Sequence, residues 1–217
     1  MIRKLTKKRI ELIKEENLLS YKEYDTINCC FFSRKNKRNQ KRISENKLQG
    51  GTVMKYFGTD GFRGEANVDL NVVHAYKVGR FLGWYYGQEH KAKIVIGKDT
   101  RRSSYMFEDA LSSGLTASGA DVYLLHVTPT PSVSYVVRTE QFDCGIMISA
   151  SHNPYYDNGL KVINGKGHKL EAEIEEKIEA YIDSKEDTIP FATKDAIGCT
   201  AVSYTHLRAH ETRGNLV

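Results

Sequence analysis

Cys144-Gly145-Ile146-Met147-Ile148 is an apolar run without alternation, and it limits the fold more than any other stretch of the chain. A strand wetted on one face alternates apolar with polar residues; a strand covered on both faces does not. The run therefore predicts a strand at the centre of a sheet with helices on both sides. It passes directly into the polar loop Ser149-Ala150-Ser151-His152-Asn153-Pro154, which Pro154 stiffens. Asn158-Gly159 then predicts a turn back into a further strand, Leu160 to Ile163. Loops at such strand ends are where open α/β sheets place ligands.

Helical and strand periods alternate around this centre. Asp69 or Asn71 can cap a helix from Val72 to Tyr86, with Val72, Tyr76, Gly79, Leu82 and Tyr86 on one face. Lys93 to Ile96 is a short buried strand. Ser103 or Ser104 caps the next helix, where Phe107, Ala110, Leu111, Gly114 and Leu115 fall at helical spacing. A strand from Asp121 to Val127 and a short helix from Pro131 to Arg138 follow. The last helix, Glu171 to Ser184, carries Leu170, Ile174, Ile178 and Ile182 at four-residue steps. Residues 54–198 thus predict one α/β domain, a three-layer α/β/α sandwich.

The flanks differ in kind. Residues 1–53 hold 14 Lys and Arg against 6 Asp and Glu, while the remainder holds 18 against 21. The net charge of +5 is therefore a property of the leader, and the near-neutral domain argues against nucleic acid as a partner. The leader is polar and weakly periodic and is expected to be disordered. Gln49-Gly50-Gly51 can be encoded by a purine run resembling a ribosome-binding site, so Met54 is the expected native start. Residues 199–217 have no clear period and are expected to be unstructured and foreign to the native frame. His206 and His210 follow Cys199 at a spacing that only superficially suggests zinc, since a tetrahedral site needs more ligands. No apolar stretch reaches membrane-spanning length, and no secretory signal is present. Four Cys without a C-x-x-C pair fit a reducing cytoplasm.

Three motifs carry chemistry. Phe57-Gly58-Thr59-Asp60-Gly61-Phe62-Arg63-Gly64 reads as a glycine-rich turn with exposed amides and a guanidinium suited to phosphate. A solvated Arg in an ordinary turn is an equal reading, and without G-K-[ST] it is not a P-loop. Gly97-Lys98-Asp99-Thr100-Arg101-Arg102-Ser103-Ser104 gathers cations and hydroxyls where a helix begins. There Asp99 could orient an Arg and serve structure alone. Ser149 to Lys161 offers a hydroxyl at a strand end, but Ser151 and His152 are adjacent and lack a third orienting acid. A hydrolase triad is therefore a weak reading.

Together, in this order, the three motifs resemble the α-D-phosphohexomutase family, and within it a bacterial branch acting on glucosamine phosphates. The likeness runs from residue 54 to about 198. It implies a domain-I-like α/β/α sandwich with a mixed sheet. It also implies that Ser151 is the phosphorylated serine, and that Ser151 binds Mg²⁺ through its phosphate. Arg63 would stabilise the phosphoryl group, and Lys161 would assist proton transfer at the sugar hydroxyl. His152 and Asn153 would shape the loop, and Arg101 would support the phosphate site. The implied cycle interconverts glucosamine 6-phosphate and glucosamine 1-phosphate through a 1,6-bisphosphate, on the route to cell-wall precursors. The family's metal-binding Asp-Gly-Asp-x-Asp-Arg loop and its sugar-selecting loop belong to further domains, and this chain holds no Asp-x-Asp. The chain alone is therefore expected to be inactive, its partners being a phosphosugar and those domains. A relative acting on glucose or mannose phosphates, or a lone domain that binds sugar phosphate without turnover, stays open as an alternative.

Overall fold

The apolar run becomes the middle strand of seven. The computed structural model describes residues 54–202. Its strands are β1 (Phe57–Gly58), β2 (Gly61–Glu65), β3 (Lys93–Lys98), β4 (Asp121–Val127), β5 (Cys144–Ile148), β6 (Asp157–Asn164) and β7 (Thr200–Val202). They are ordered β1-β2-β6-β5-β3-β4-β7. All five residues of β5 are buried. It runs parallel to β3 on one side and antiparallel to β6 on the other. The sheet is mixed, as expected.

The helices are α1 (Val72–Tyr86), α2 (Arg102–Ala117), α3 (Thr130–Thr139) and α4 (Ala172–Asp183). The connection β3–α2–β4 steps outward in the sheet, and β4–α3–β5 steps back across β3. Right-handed crossovers then place α2 and α3 on opposite faces. On the α3 face, Val133, Val136 and Val137 pack with Val95, Leu125, Met147 and Ile163. On the other face α1 and α2 approach to backbone contact. A Cβ on Gly79 would meet the Leu111 carbonyl oxygen at 2.5 Å, and one on Gly114 would meet that of Tyr76 at 2.2 Å.

Several local expectations are corrected. Ser103 and Ser104 do not cap α2; its N-cap is Arg101, without a side-chain cap bond. The buried stripe of α1 runs through Ala75, Val78, Gly79 and Leu82, which leaves Val72 exposed. Asn71 caps that helix in a reciprocal capping box with His74. The first glycine motif is a hairpin, β1–β2, and Arg63 is a strand residue opposite Gly159. Asn158-Gly159 is likewise strand, because the antiparallel ladder to β2 extends β6 back to Asp157. Of residues 199–217, expected to lack structure, Thr200–Val202 pairs in parallel with β4. There the Cys199 amide donates to Asp121 Oδ1 at 2.9 Å and the Val122 amide to the Cys199 carbonyl at 2.8 Å. The leader and residues 203–217 lie outside the described residues.

Two carboxylates set an acid limit to this packing. Burial alone would raise the Asp187 pKa, but hydrogen bonds from Tyr181 and Arg80 hold it below the usual range. Asp121 is lowered against burial in the same way by Cys199 and Lys91. Groups depressed on folding contribute stability above their unfolded pKa, about 3.9 for Asp, and lose it as pH falls through the folded value. Denaturant stability is expected to fall as pH drops below about 4. Asp187→Asn should flatten that fall; an unchanged acid limb would contradict the assignment.

Candidate active site

At the end of β5 the chain turns through 149–156 and returns as β6. Ser149 is buried; its amide donates to the Gly159 carbonyl at 2.9 Å. Its Oγ accepts the Ser151 amide at 3.0 Å. Ser151 is exposed and lies at φ 57°, the left-handed region that a residue with a Cβ disfavours. The Asn153 amide donates to the Ala150 carbonyl at 3.1 Å, and its side-chain Nδ2 to Asp157 Oδ2 at 3.0 Å.

Arg101 sits under this loop. Its Nε donates to Asp99 Oδ2 at 3.0 Å. Nη2 donates to the carbonyls of Ser151 at 2.9 Å and Asn153 at 2.8 Å. Nη1 donates to those of Asp157, at 3.0 Å, and Pro154. Asp99 also accepts from the Arg101 amide at 3.0 Å and from Ser104 Oγ at 2.8 Å. Fully buried Asn158 gives Nδ2 to Ser103 Oγ at 2.9 Å and Ser104 Oγ at 3.0 Å.

Strand alternation puts Arg63, opposite Gly159, on the same sheet face as Lys161, opposite Met147. This is the α3 face, since Met147 belongs to the cluster under α3. A Cβ on Gly159 would meet Arg63 Cγ at 2.8 Å and the Ser149 carbonyl oxygen at 2.9 Å, so only glycine lets the Arg63 stem lie against the loop base. The Arg63 guanidinium pairs with exposed Asp60, while its Nε is buried without an acceptor. Lys161 lines a hollow of about 210 Å³ with Thr59, Asp60, Thr130, Lys169 and Glu175. Lys169 leans on the buried Glu175 at 3.1 Å; burial raises the Glu175 pKa against that pairing. A larger hollow of about 320 Å³, lined by Phe81, Trp84, Tyr181 and Ile189, lies away from these groups and is mostly apolar.

The structure thus puts Arg63 and Lys161 on one sheet face, with the Arg63 stem against the base of the Ser151 loop and Lys161 farther along β6. Asn153 is a loop-shaping residue. His152 is exposed, with no hydrogen bond among the described residues. Arg101 faces the loop backbone, and in this geometry no N–H is left over for a phosphate. Sequence reasoning gave Ser104 to a helix cap and Asn158 to a turn and missed the hydrogen bond between them; its signal was small polar residues at positions that the helix and strand patterns mark as buried. Among the described residues no three His, Cys, Asp or Glu side chains converge on a metal position. One seryl oxygen is too few donors for Mg²⁺, so these residues alone do not fit the ion.

Residues 54–188 match a family model described as phosphoglucomutase/phosphomannomutase, alpha/beta/alpha domain I. The chain is 72% identical over 163 residues to a phosphoglucosamine mutase of Lachnoclostridium phytofermentans, covering 75% of this chain and 36% of the relative. It is 71% identical over 154 residues to one of Lachnospira eligens, covering 70% and 34%. The chain therefore spans about a third of the length of these relatives. A crystal structure of a phosphoglucomutase/phosphomannomutase family protein from Burkholderia thailandensis shares the fold, with TM-score 0.57 at 23% identity over 68% of this chain and 32% of that one. Among the described residues no helix is long and apolar enough to cross a membrane.

Proposed function

The chain belongs to the phosphoglucomutase/phosphomannomutase family, and from that premise we propose that it forms the phosphoserine-bearing domain of a cytoplasmic phosphoglucosamine mutase. Exposed Ser151, held at the end of β5 beside the face that bears Arg63 and Lys161, is the observation that carries this reading.

Phosphorylated Ser151 donates to the free hydroxyl of glucosamine 6-phosphate. The Oγ–P bond breaks, the sugar O–P bond forms, and the hydroxyl proton leaves to a base. The 1,6-bisphosphate turns over in the site and Ser151 Oγ recovers the other phosphoryl group, leaving glucosamine 1-phosphate. Such transfer depends on positioning and on neutralising charge. Arg63 supplies a fixed cation with a buried, unfilled donor. The Lys161 side chain has no hydrogen bond or ion pair among the described residues and can hold or move the proton. Mg²⁺ requires ligands from outside residues 54–202, as does recognition of the sugar. Neither nucleic acid nor membrane enters this reading.

Grafting residues 54–198 onto the remaining length of the Lachnoclostridium phytofermentans relative tests it. The chimera is expected to turn over glucosamine 6-phosphate and to carry phosphate on Ser151, read by peptide mass spectrometry. A folded chimera with no phosphate on Ser151 would sink the reading and leave a lone sugar-phosphate-binding domain.

A further inference from the structure

We propose that Arg101 is a positioning residue for phosphoryl transfer, one that sets the geometry of Ser151 by gripping the loop backbone and does not bind the phosphate itself. This rests on the reading of Ser151 as the phosphoryl carrier. A guanidinium has five N–H donors in a fixed planar fork and no acceptor. At Arg101 all five are taken, one by Asp99 and four by the carbonyls of Ser151, Asn153, Pro154 and Asp157. Asp99 also neutralises the charge. The cation therefore organises the inner side of the loop and offers nothing to an anion on the outer side.

The fork is itself fixed at both ends. Its backbone is the N-cap of α2, and its amide is held by Asp99. Asp99 is held by Ser104, and Ser104 by Asn158 on β6, the strand that receives the loop. Arg101 is thus locked to the two elements between which the loop runs. Two of the gripped carbonyls belong to Ser151 and Asn153, which flank His152, and the left-handed turn at Ser151 lies inside that span. A seryl residue leaves that conformation unless its surroundings hold it. Arg101 supplies the hold from below and Ser149 Oγ from the strand end.

The consequence is kinetic. Loosening the grip misplaces the reacting oxygen without removing any group that binds the sugar, so kcat should fall while KM stays. Arg101→Lys keeps the charge but cannot span four carbonyls. Asp99→Asn keeps the shape and weakens the orientation of the fork. In the 217-residue chain, hydrogen exchange at the Ser151 and Asn153 amides is expected to quicken about tenfold in both variants, with the melting transition kept. In the chimera, kcat is expected to fall about 100-fold with KM for glucosamine 6-phosphate held within about twofold. A raised KM with kcat retained would mean that Arg101 binds phosphate and would overturn the proposal. Faster exchange with kcat unchanged would reduce Arg101 to a structural clamp and overturn it as well. If Arg101→Lys unfolds, Asp99→Asn decides by the same readouts. Absence of phosphate on Ser151 in the unmutated chimera would sink the phosphoserine reading, while the exchange experiment would still judge the grip.

Discussion

Ser151→Ala is expected to lower turnover of the chimera by on the order of 10⁴-fold or more while leaving its stability within about 0.5 kcal/mol. No neighbouring hydroxyl can take over the carrier role. Ser149 is buried and its Oγ is engaged with the Ser151 amide. The Ser151 bonds that hold the loop are made by its backbone, through the amide to Ser149 and the carbonyl to Arg101. Alanine keeps both, so loss of activity and loss of fold separate cleanly in this variant. Ser151→Gly sharpens the test. It removes the same oxygen and relieves the left-handed backbone, so it should also be inactive but more stable by about 1 kcal/mol. Steady-state kinetics beside urea unfolding checks both variants. Residual turnover above about a hundredth of the unmutated rate would remove Ser151 from the chemistry.

The parts of this site that the sequence made legible are those set by local pattern. The apolar run 144–148 had to be a central strand, and a hydroxyl just beyond it had to lie at the carboxyl end of that strand, where open α/β sheets place ligands. The spacing of Gly114 and Leu115 on α2 gave the helix face. What stayed hidden depends on pairing across the chain. The hairpin β1–β2 is short and glycine-rich, and it is strand only because β6 offers it an edge. Arg63 therefore read as a turn residue, suited to phosphate or merely solvated, whereas it is a cross-strand neighbour of Gly159. Arg101 and Asn158 lie 57 positions apart, and nothing local distinguishes a guanidinium that binds phosphate from one that binds carbonyls. The short strand β7 escaped because three residues carry no period, and its pairing with β4 is again a contact distant in sequence.

Arg80 is the plainest case of such hidden structure, and its removal carries the largest expected cost in stability. Arginine is rarely buried, yet the side chain of Arg80, next to Gly79 of the α1 stripe, is fully buried. Nη1 donates to Ser118 Oγ at 2.8 Å, the Ala117 carbonyl at 3.1 Å and the Pro190 carbonyl at 3.3 Å. Nη2 donates to the Ile189 carbonyl, and the guanidinium pairs with Asp187 at 3.3 Å while lying 3.9 Å over the Phe191 ring. One side chain thus ties α1 to the end of α2 and to the segment 187–191. Arg80→Ala leaves three carbonyls without their donor and a carboxylate without its cation, and should cost about 3–5 kcal/mol. That is a large share of the ~5–15 kcal/mol that holds a typical domain. Arg80→Met keeps the apolar stem, so the difference between the two variants isolates packing from charge. Adding Asp187→Asn to Arg80→Met should recover part of the loss, because the partner left behind is then neutral. Urea unfolding of the four proteins measures these terms. A cost below about 1 kcal/mol for Arg80→Ala would mean that water replaces the guanidinium at little penalty and that the segment 187–191 is held by its apolar contacts.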